Sequence, residues 1–319
     1  MMSLSPPTLR QHHSVRAALD RLCARGLALL ALPVIGLLLA LIVALAVRAA
    51  PILQERSLWA LLAGRVWKPL QGEFGFLPFL AGTLWVTAVA LALAVPPCLL
   101  ASIYLSEYAQ PRLRAVAWPT LDLLGGIPSV VYGVWGVLTV VPAVQALAPW
   151  LSRRLGFLPG LSARNPTGYG VLSGGIVLAV MVAPVIIPVA VEVLRAVPQG
   201  LRAASLAVGA THWQTVRHAV LPRALPGLLA AVVLGFARAF GETMAVVMVV
   251  GNVAEVPRSL FDPAYPLTAL IANNYGEMLS IPLYDAALLG AALVLLLAVL
   301  GFNILSRLVL RQVTRRYGR

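Results

Sequence analysis

The chain has 319 residues, of which 60% are hydrophobic and only 11% are charged, and its mean hydropathy is +0.90. A soluble domain carries about 25% charged residues, so this composition excludes a water-soluble globular protein, a disordered chain and a secreted disulfide-linked scaffold. It indicates a polytopic membrane protein. The net charge of +13 comes from 23 arginines and one lysine against 11 acidic residues. That lysine, Lys68, does not stand in a phosphate-binding glycine loop, so we do not expect this chain to hydrolyse ATP or to act as an enzyme.

Charge-free intervals predict six membrane spans, because a helix needs about 20 mostly apolar residues to cross a bilayer. In chain order the predicted spans are about 26–47, 76–105, 123–150, 167–191, 224–254 and 286–306. They define a transmembrane domain at 26–306, an N-terminal tail at 1–25, a loop at 198–222 and a basic tail at 307–319. The first span lacks the cleavage site expected of a signal peptide. We therefore expect an all-α integral membrane fold with six transmembrane helices.

The distribution of basic residues predicts that both termini are cytoplasmic. With the N-terminus inside, the cytoplasmic segments hold 15 basic and 3 acidic residues, whereas the outer segments hold 8 basic and 6 acidic residues. The basic excess is thus a topology signal, and nucleic-acid binding is not indicated. This orientation places the long loop between spans four and five in the cytoplasm, and the segments at about 48–73 and 255–285 outside.

The predicted cytoplasmic loop has the pattern of two short helices separated by a glycine. Gly209 is suited to the left-handed stop of the first helix. Thr211, with Gln214 three residues later, fits a capping box that begins the second helix. Leu221-Pro222 then returns the chain to the membrane. On spacing alone, an amphipathic surface loop with no further role fits this pattern equally well.

The same loop resembles the EAA loop of ABC-importer permeases, whose pattern is Glu-Ala-Ala, then a glycine, then a distal Leu-Pro. The residues assigned to this loop are Ala203, Ala204, Gly209, Thr211, Trp213, Leu221 and Pro222. The glutamate of the family pattern falls on Arg202 or Ala203, so its acidic residue is absent. The resemblance implies a coupling helix that docks into a groove of a separate ATPase subunit and transmits its closure.

Further stretches resemble the PstC-type permeases of bacterial phosphate importers over about residues 70–310. The stretches are GFLPFLAGT from Gly75, YLSEY from Tyr104, GIPSVVYG from Gly126 and GETMA from Gly241. The resemblance implies a type I ABC-importer permease fold in the bacterial inner membrane. It also implies a second, homologous permease (PstA-type), two ATPase subunits (PstB-type) and a periplasmic phosphate-binding protein (PstS-type), with no cofactor. A permease for another oxyanion, such as sulfate, molybdate or phosphonate, and an autonomous secondary transporter are the alternatives.

The candidate substrate pathway centres on two charges in the fifth predicted span. Arg238 and Glu242 lie one helical turn apart, and an arginine at mid-bilayer costs about 3 kcal/mol or more unless it has a partner or a wet cavity. A guanidinium suits phosphate because its fork of donors matches two oxygens. The resemblance implies that this pair is required for transport, and a pair that only balances charge is the alternative.

Three hydroxyl groups complete the predicted pathway. Ser129 follows a Gly-Gly-Ile-Pro break in the third span, where it is either exposed to a passing anion or simply beside a kink. Tyr132 and Thr83 are the other two candidates. The histidines and cysteines form no metal-binding pattern, so we expect no metal site.

Overall fold

The computed structural model describes residues 9–157, 160–162, 167–277, 281 and 283–317. Within these residues, six helices are long and apolar enough to cross a membrane. They are Leu32–Glu55, Leu77–Tyr108, Ser129–Arg154, Val171–Arg195, His212–Phe240 and Tyr284–Gln312. The predicted all-α fold and the number of spans are therefore confirmed.

The chain divides into two compact units, Met1–Arg48 and Ala49–Arg319. Helix α1 (Leu9–Glu55) supplies the described part of the first unit and continues into the second. Within the first unit its large apolar side chains are exposed, for example Val34 and Leu37. Such side chains are well solvated by lipid tails, which are as apolar as leucine.

The second unit begins with a short structured segment where the sequence predicted an outer loop at about 48–73. Helix α2 (Leu58–Ala63) is followed by a two-stranded antiparallel hairpin, β1 (Trp67–Lys68) and β2 (Glu73–Phe74). The Trp67 ring packs edge-on against Phe74 and Phe79, with centroids 5.4 and 5.2 Å apart. This aromatic contact fixes the hairpin on the start of the second span.

Two long helices form the centre of the second unit. Helix α3 (Leu77–Ile103), extended by a π-helical turn at Tyr104–Tyr108, packs along α7 (Val171–Arg195). Small residues permit this close approach. A Cβ at Gly174 would lie 3.1 Å from Val86 of α3, and one at Gly175 would lie 2.4 Å from Val89 of α3.

The third predicted span, 123–150, is interrupted near its start by a break in the helix. Helix α4 (Pro111–Gly126) ends before Ile127 and Pro128, and α5 (Ser129–Trp135) begins after them. Proline disfavours helical geometry in the residue before it and cannot donate a backbone hydrogen bond, which accounts for the break. A π-helical turn at Gly136–Val140 then leads into α6 (Val141–Leu155).

The coupling-loop region and the fifth span form one continuous helical path. Helix α8 (Gln199–Ala207) is separate, whereas α9 (His212–Thr215) continues through a π-helical turn at Val216–Val220 into α10 (Leu221–Phe240). The widened turn ends two residues before Pro222. Proline lacks the backbone N–H of a regular helix, and its ring clashes with the preceding turn. The fifth membrane helix therefore begins inside the predicted loop.

The predicted fifth span at about 224–254 is not a single helix, because α10 ends at Phe240 and the short α11 (Met244–Val249) follows. The Glu242 carboxylate accepts the Ala245 N–H at 3.4 Å and so caps the new helix. Beyond α11, the chain forms α12 (Leu267–Asn274) and α13 (Tyr284–Tyr317). Residues 163–166, which directly precede the predicted fourth span, lie outside the described residues.

Candidate functional site

The break between α10 and α11 places the two predicted membrane charges together. Arg238 lies in the last turn of α10 and Glu242 lies in the break, with Nη1 and Oε2 3.4 Å apart. Their surroundings differ sharply, since the arginine side chain is 47% exposed and the glutamate side chain only 4%. The carboxylate is thus buried inside the protein, while about half of the arginine side chain is exposed.

A narrow cleft of mixed polar and apolar lining lies beside Glu242. Its volume is about 10 Å³, which is close to the minimum needed for one water molecule. Thr83, Thr87 and Thr268 line it together with Glu242, and all four are buried. Thr268 donates its hydroxyl hydrogen bond to the Glu242 carbonyl at 2.9 Å, which holds the helix break in place. No local sequence pattern marks Thr268, so its position beside Glu242 is visible only in the structure.

The Thr83 hydroxyl already has two protein partners. It donates to the Phe79 carbonyl at 2.8 Å and accepts the Leu267 N–H at 3.0 Å. Thr83 therefore joins α3 to the first residue of α12, although it also lines the cleft beside Glu242.

Ser129 and Tyr132 lie on α5, which packs against α11. The Tyr132 hydroxyl donates to the Leu124 carbonyl at 2.8 Å, so it spans the break between α4 and α5. Ser129 is half-buried at the first residue of α5. A Cβ at Gly133 would lie 2.5 Å from Met248 and 3.2 Å from Ala245, so α5 and α11 are in close contact. Helix α11 therefore connects Ser129 and Tyr132 on α5 with Glu242, whose carboxylate caps α11.

The turn predicted in the coupling loop is present with the expected geometry. Gly209 has a φ of +85° and follows the end of α8. Thr211 accepts the Gln214 N–H at 3.3 Å, and the Gln214 side chain accepts the Thr211 N–H at 2.8 Å. The left-handed glycine and the capping box are therefore both confirmed.

The loop exposes a largely apolar surface. The exposed residues between positions 201 and 214 are Leu201, Ala203, Ala204, Leu206, Ala207, Val208, Gly209, Thr211, His212, Trp213 and Gln214. Val208 is 85% exposed and Trp213 49%, whereas Leu221 and Pro222 are half-buried at the start of α10. Exposed apolar side chains that lie next to one another mark a surface for interaction with a protein or a membrane.

An ion pair ties this loop to the second membrane helix. Arg202 Nη2 lies 2.8 Å from Glu107 Oε1, and the two side chains are only 12% and 5% exposed. The guanidinium also donates to the carbonyls of Leu194 and Val197 at the end of α7. The loop thus lacks the glutamate of the family pattern, but its arginine is neutralised by an acid from α3. Glu107 is the glutamate of the YLSEY stretch, but its partner Arg202 lies 95 residues further along the sequence.

Comparison with known proteins identifies the class. Residues 98–319 match the model of a family described as "Binding-protein-dependent transport system inner membrane component", and the chain belongs to that family. Proteins of this family are multi-pass inner-membrane permease subunits that work with an ATPase and a substrate-binding protein.

Within the family, the chain is similar to the phosphate transport system permease protein PstC. It is 34% identical to PstC of Haemophilus influenzae over 305 residues, which cover 94% of this chain and 96% of the relative. It is 36% identical to PstC of Xylella fastidiosa over 256 residues, covering 79% and 78%. The resemblance to PstC-type permeases is confirmed.

A solved structure supports the fold. The inward-facing MetNI methionine ABC transporter aligns with a TM-score of 0.52 and 23% sequence identity, over 73% of this chain and 93% of that chain. The predicted type I ABC-importer permease fold is confirmed.

Proposed function

We propose that the chain is the permease subunit of an ATP-driven phosphate importer and forms half of its translocation pathway. The observation that carries this proposal is the exposed Arg238 guanidinium, held 3.4 Å from the buried Glu242 at a helix break. Paired guanidinium donors match two oxygens of a tetrahedral anion. The relatives described above are named phosphate transport system permease proteins, which favours phosphate over sulfate, molybdate or phosphonate.

In this proposal Arg238 and Glu242 have different tasks. Glu242 is fixed, because its carboxylate caps α11 and Thr268 holds its carbonyl. Arg238 is on the open side, and an unpaired arginine in the bilayer costs about 3 kcal/mol or more. The guanidinium therefore exchanges partners, resting on Glu242 when the pathway is empty and meeting phosphate oxygens as the anion passes. Glu242 also repels the anion, which promotes its release.

The coupling loop provides the connection to ATP. Its exposed apolar surface around Val208 and Trp213 is suited to dock on an ATPase of the PstB type. The Glu107–Arg202 ion pair transmits a movement of the loop to α3, and the continuous path from α9 through α10 transmits it to Arg238. This chain performs no catalysis in the scheme and needs no cofactor. A PstA-type permease completes the pathway, and a PstS-type binding protein delivers phosphate.

The excess of basic residues supports an orientation with both termini in the cytoplasm. In this orientation the coupling loop faces the ATPase, and the hairpin of β1 and β2 faces the periplasm with the binding protein.

Uptake by the reconstituted complex tests the substrate and the energy source. The permeases and the ATPase are placed in liposomes with ATP on the ATPase side and the phosphate-loaded binding protein on the other. We expect phosphate uptake that requires ATP and is not reduced by excess sulfate or molybdate. Uptake without ATP, or transport of another oxyanion in place of phosphate, would overturn the proposal.

A double mutant tests the role of Arg238. Arg238→Lys keeps the charge but loses the planar fork, and Arg238→Gln leaves Glu242 unpaired, so both are expected to impair uptake, the second more strongly. Combining Arg238→Gln with Glu242→Gln removes both charges. We expect the double mutant to assemble, as measured by size-exclusion chromatography, yet to remain inactive. Recovery of phosphate uptake in the double mutant would mean that the pair only balances charge.

A further inference from the structure

A second cluster of positive charge lies where the membrane helices meet the coupling loop. It surrounds a cavity of about 530 Å³ between the ends of α3 and α7 and the starts of α4 and α8. Its lining includes Glu107, Arg114, Arg195, Gln199, Arg202 and His212. None of these residues lines the cleft beside Glu242.

The negative charge in this cavity is already neutralised. Glu107 Oε1 lies 2.8 Å from Arg202 Nη2, and Arg202 Nε also donates to Glu107 Oε2 at 3.3 Å. The remaining donors of Arg202 point to carbonyls of α7. The pair therefore adds no net charge, and the other two arginines leave the cavity with an excess of two positive charges.

Those two arginines retain unused hydrogen-bond donors. Arg114 Nη2 donates to the Ser106 carbonyl at 2.8 Å, but its Nε is buried and has no partner among the described residues. Arg195 makes a long ion pair of 3.8 Å with Glu192, whose side chain is 68% exposed, so this contact is weak. The Arg195 guanidinium lies over the ring of Trp118, 5.5 Å from its centroid, which orients it.

We propose that this cavity binds a phosphate group through Arg114 and Arg195, supplied either by free inorganic phosphate or by the headgroup of an anionic lipid. Two guanidinium groups beside a polar cavity suit the several oxygens of a phosphate, and its charge offsets their excess. Trp118 is typical of the membrane–water interface, where either source is available. Only the cytoplasmic placement of the cavity rests on the proposed function.

Occupancy of the cavity has a structural consequence for the coupling loop. Arg114 lies near the start of α4, and Arg195 is the last residue of α7, directly before the loop. A phosphate group bound by both joins these two segments beside the Glu107–Arg202 ion pair. The bound group therefore adds a second electrostatic link between the loop and the membrane helices.

Phosphate binding to the assembled complex tests the first source. The permeases and ATPase, without the binding protein, are placed in phosphatidylcholine nanodiscs, and Arg238→Gln is included throughout to remove the pathway arginine. Radiolabelled phosphate binding is compared for Arg195→Gln and for Arg112→Gln, an exposed arginine that does not line the cavity. If free phosphate is the ligand, we expect about tenfold weaker binding for Arg195→Gln and no change for Arg112→Gln.

Lipid retention tests the second source. The same variants are placed in mixed phosphatidylethanolamine and phosphatidylglycerol nanodiscs, and native mass spectrometry measures the phosphatidylglycerol that stays bound. Loss of this lipid from Arg195→Gln, but not from Arg112→Gln, assigns the headgroup as ligand. If Arg195→Gln does not assemble, Arg195→Lys is used, which keeps the charge and loses the bidentate fork.

The proposal is overturned if substitution of Arg195 changes neither phosphate binding nor lipid retention, or if Arg112→Gln changes them equally. Phosphate uptake by the complex with wild-type Arg238 is measured in parallel. Absence of that uptake refutes the proposed transport function, whereas normal uptake with unchanged binding refutes the cavity alone.

Discussion

Replacing Gly209 with valine tests the coupling turn, because a Cβ at this position meets no other atom of this chain. Gly209 has a φ of +85°, and a Cβ added there would meet no atom within 4 Å. The cost of the substitution therefore lies in the backbone alone. A left-handed conformation costs a residue with a Cβ about 1–2 kcal/mol, and β-branched residues tolerate it least. One to two kcal/mol corresponds to about a 5–30-fold loss in the population of the native turn.

The consequence is measurable as the ratio of phosphate taken up to ATP hydrolysed in proteoliposomes. We expect Gly209→Val to lower this ratio, while the spans still insert and the complex still assembles. Gly209→Asn is a milder variant, because asparagine adopts positive φ more readily. Gly200→Val is the matched control, since Gly200 also has open space around it but lacks a positive φ. Full coupling in Gly209→Val, or an equal loss in Gly200→Val, would refute the assigned turn.

Three further predictions follow from the buried contacts and the charge distribution. Thr83→Val leaves the buried Leu267 N–H without its acceptor, so it should destabilise the purified protein by about 1–3 kcal/mol in denaturant unfolding. Thr83→Ser keeps the hydroxyl and should restore stability. Loss of uptake at unchanged stability would instead assign Thr83 to the pathway. Glu107→Gln leaves the largely buried charge of Arg202 without a partner, at a cost of about 3–5 kcal/mol, and should weaken binding of the ATPase to the permease. Adding Arg202→Gln should recover much of this binding. Wild-type binding in Glu107→Gln alone would contradict the prediction. Reporter fusions should report the cytoplasm at Arg114, Arg202 and Arg319 and the periplasm at Lys68 and Asp262, and an odd number of spans between the termini would refute the orientation.

The features that sequence predicted well are local ones. Six apolar intervals mark the spans because each needs only a continuous run of uncharged residues. The Gly209 turn and the capping box at Thr211 are likewise set within a few residues, and both have the expected geometry. Patterns of this length are readable without knowledge of the packing.

The features that sequence did not predict depend on distant residues. The break after Phe240 lies in a stretch that is apolar except for Arg238 and Glu242, and Thr268, 26 residues after Glu242, donates a hydrogen bond to the Glu242 carbonyl. Arg202 was noted only as a departure from the family pattern, because its partner Glu107 belongs to another helix. Neither contact follows from a periodic pattern or a fixed spacing in the sequence. Both become visible only when α3, α10 and α12 are packed together.

The continuity of α9 and α10 has a mechanical consequence. The helical path His212–Phe240 contains 29 residues, a length of about 44 Å at 1.5 Å per residue, with the exposed loop surface at one end and Arg238 at the other. It works as a lever with a short arm before the π-helical turn at Val216–Val220 and a long arm after it. In the proposed transport cycle, the stiffness of this π-helical turn sets how much of a movement at Trp213 reaches the Arg238 guanidinium. In the proposed transport cycle, this π-helical turn therefore influences how well closure of the ATPase is coupled to phosphate movement.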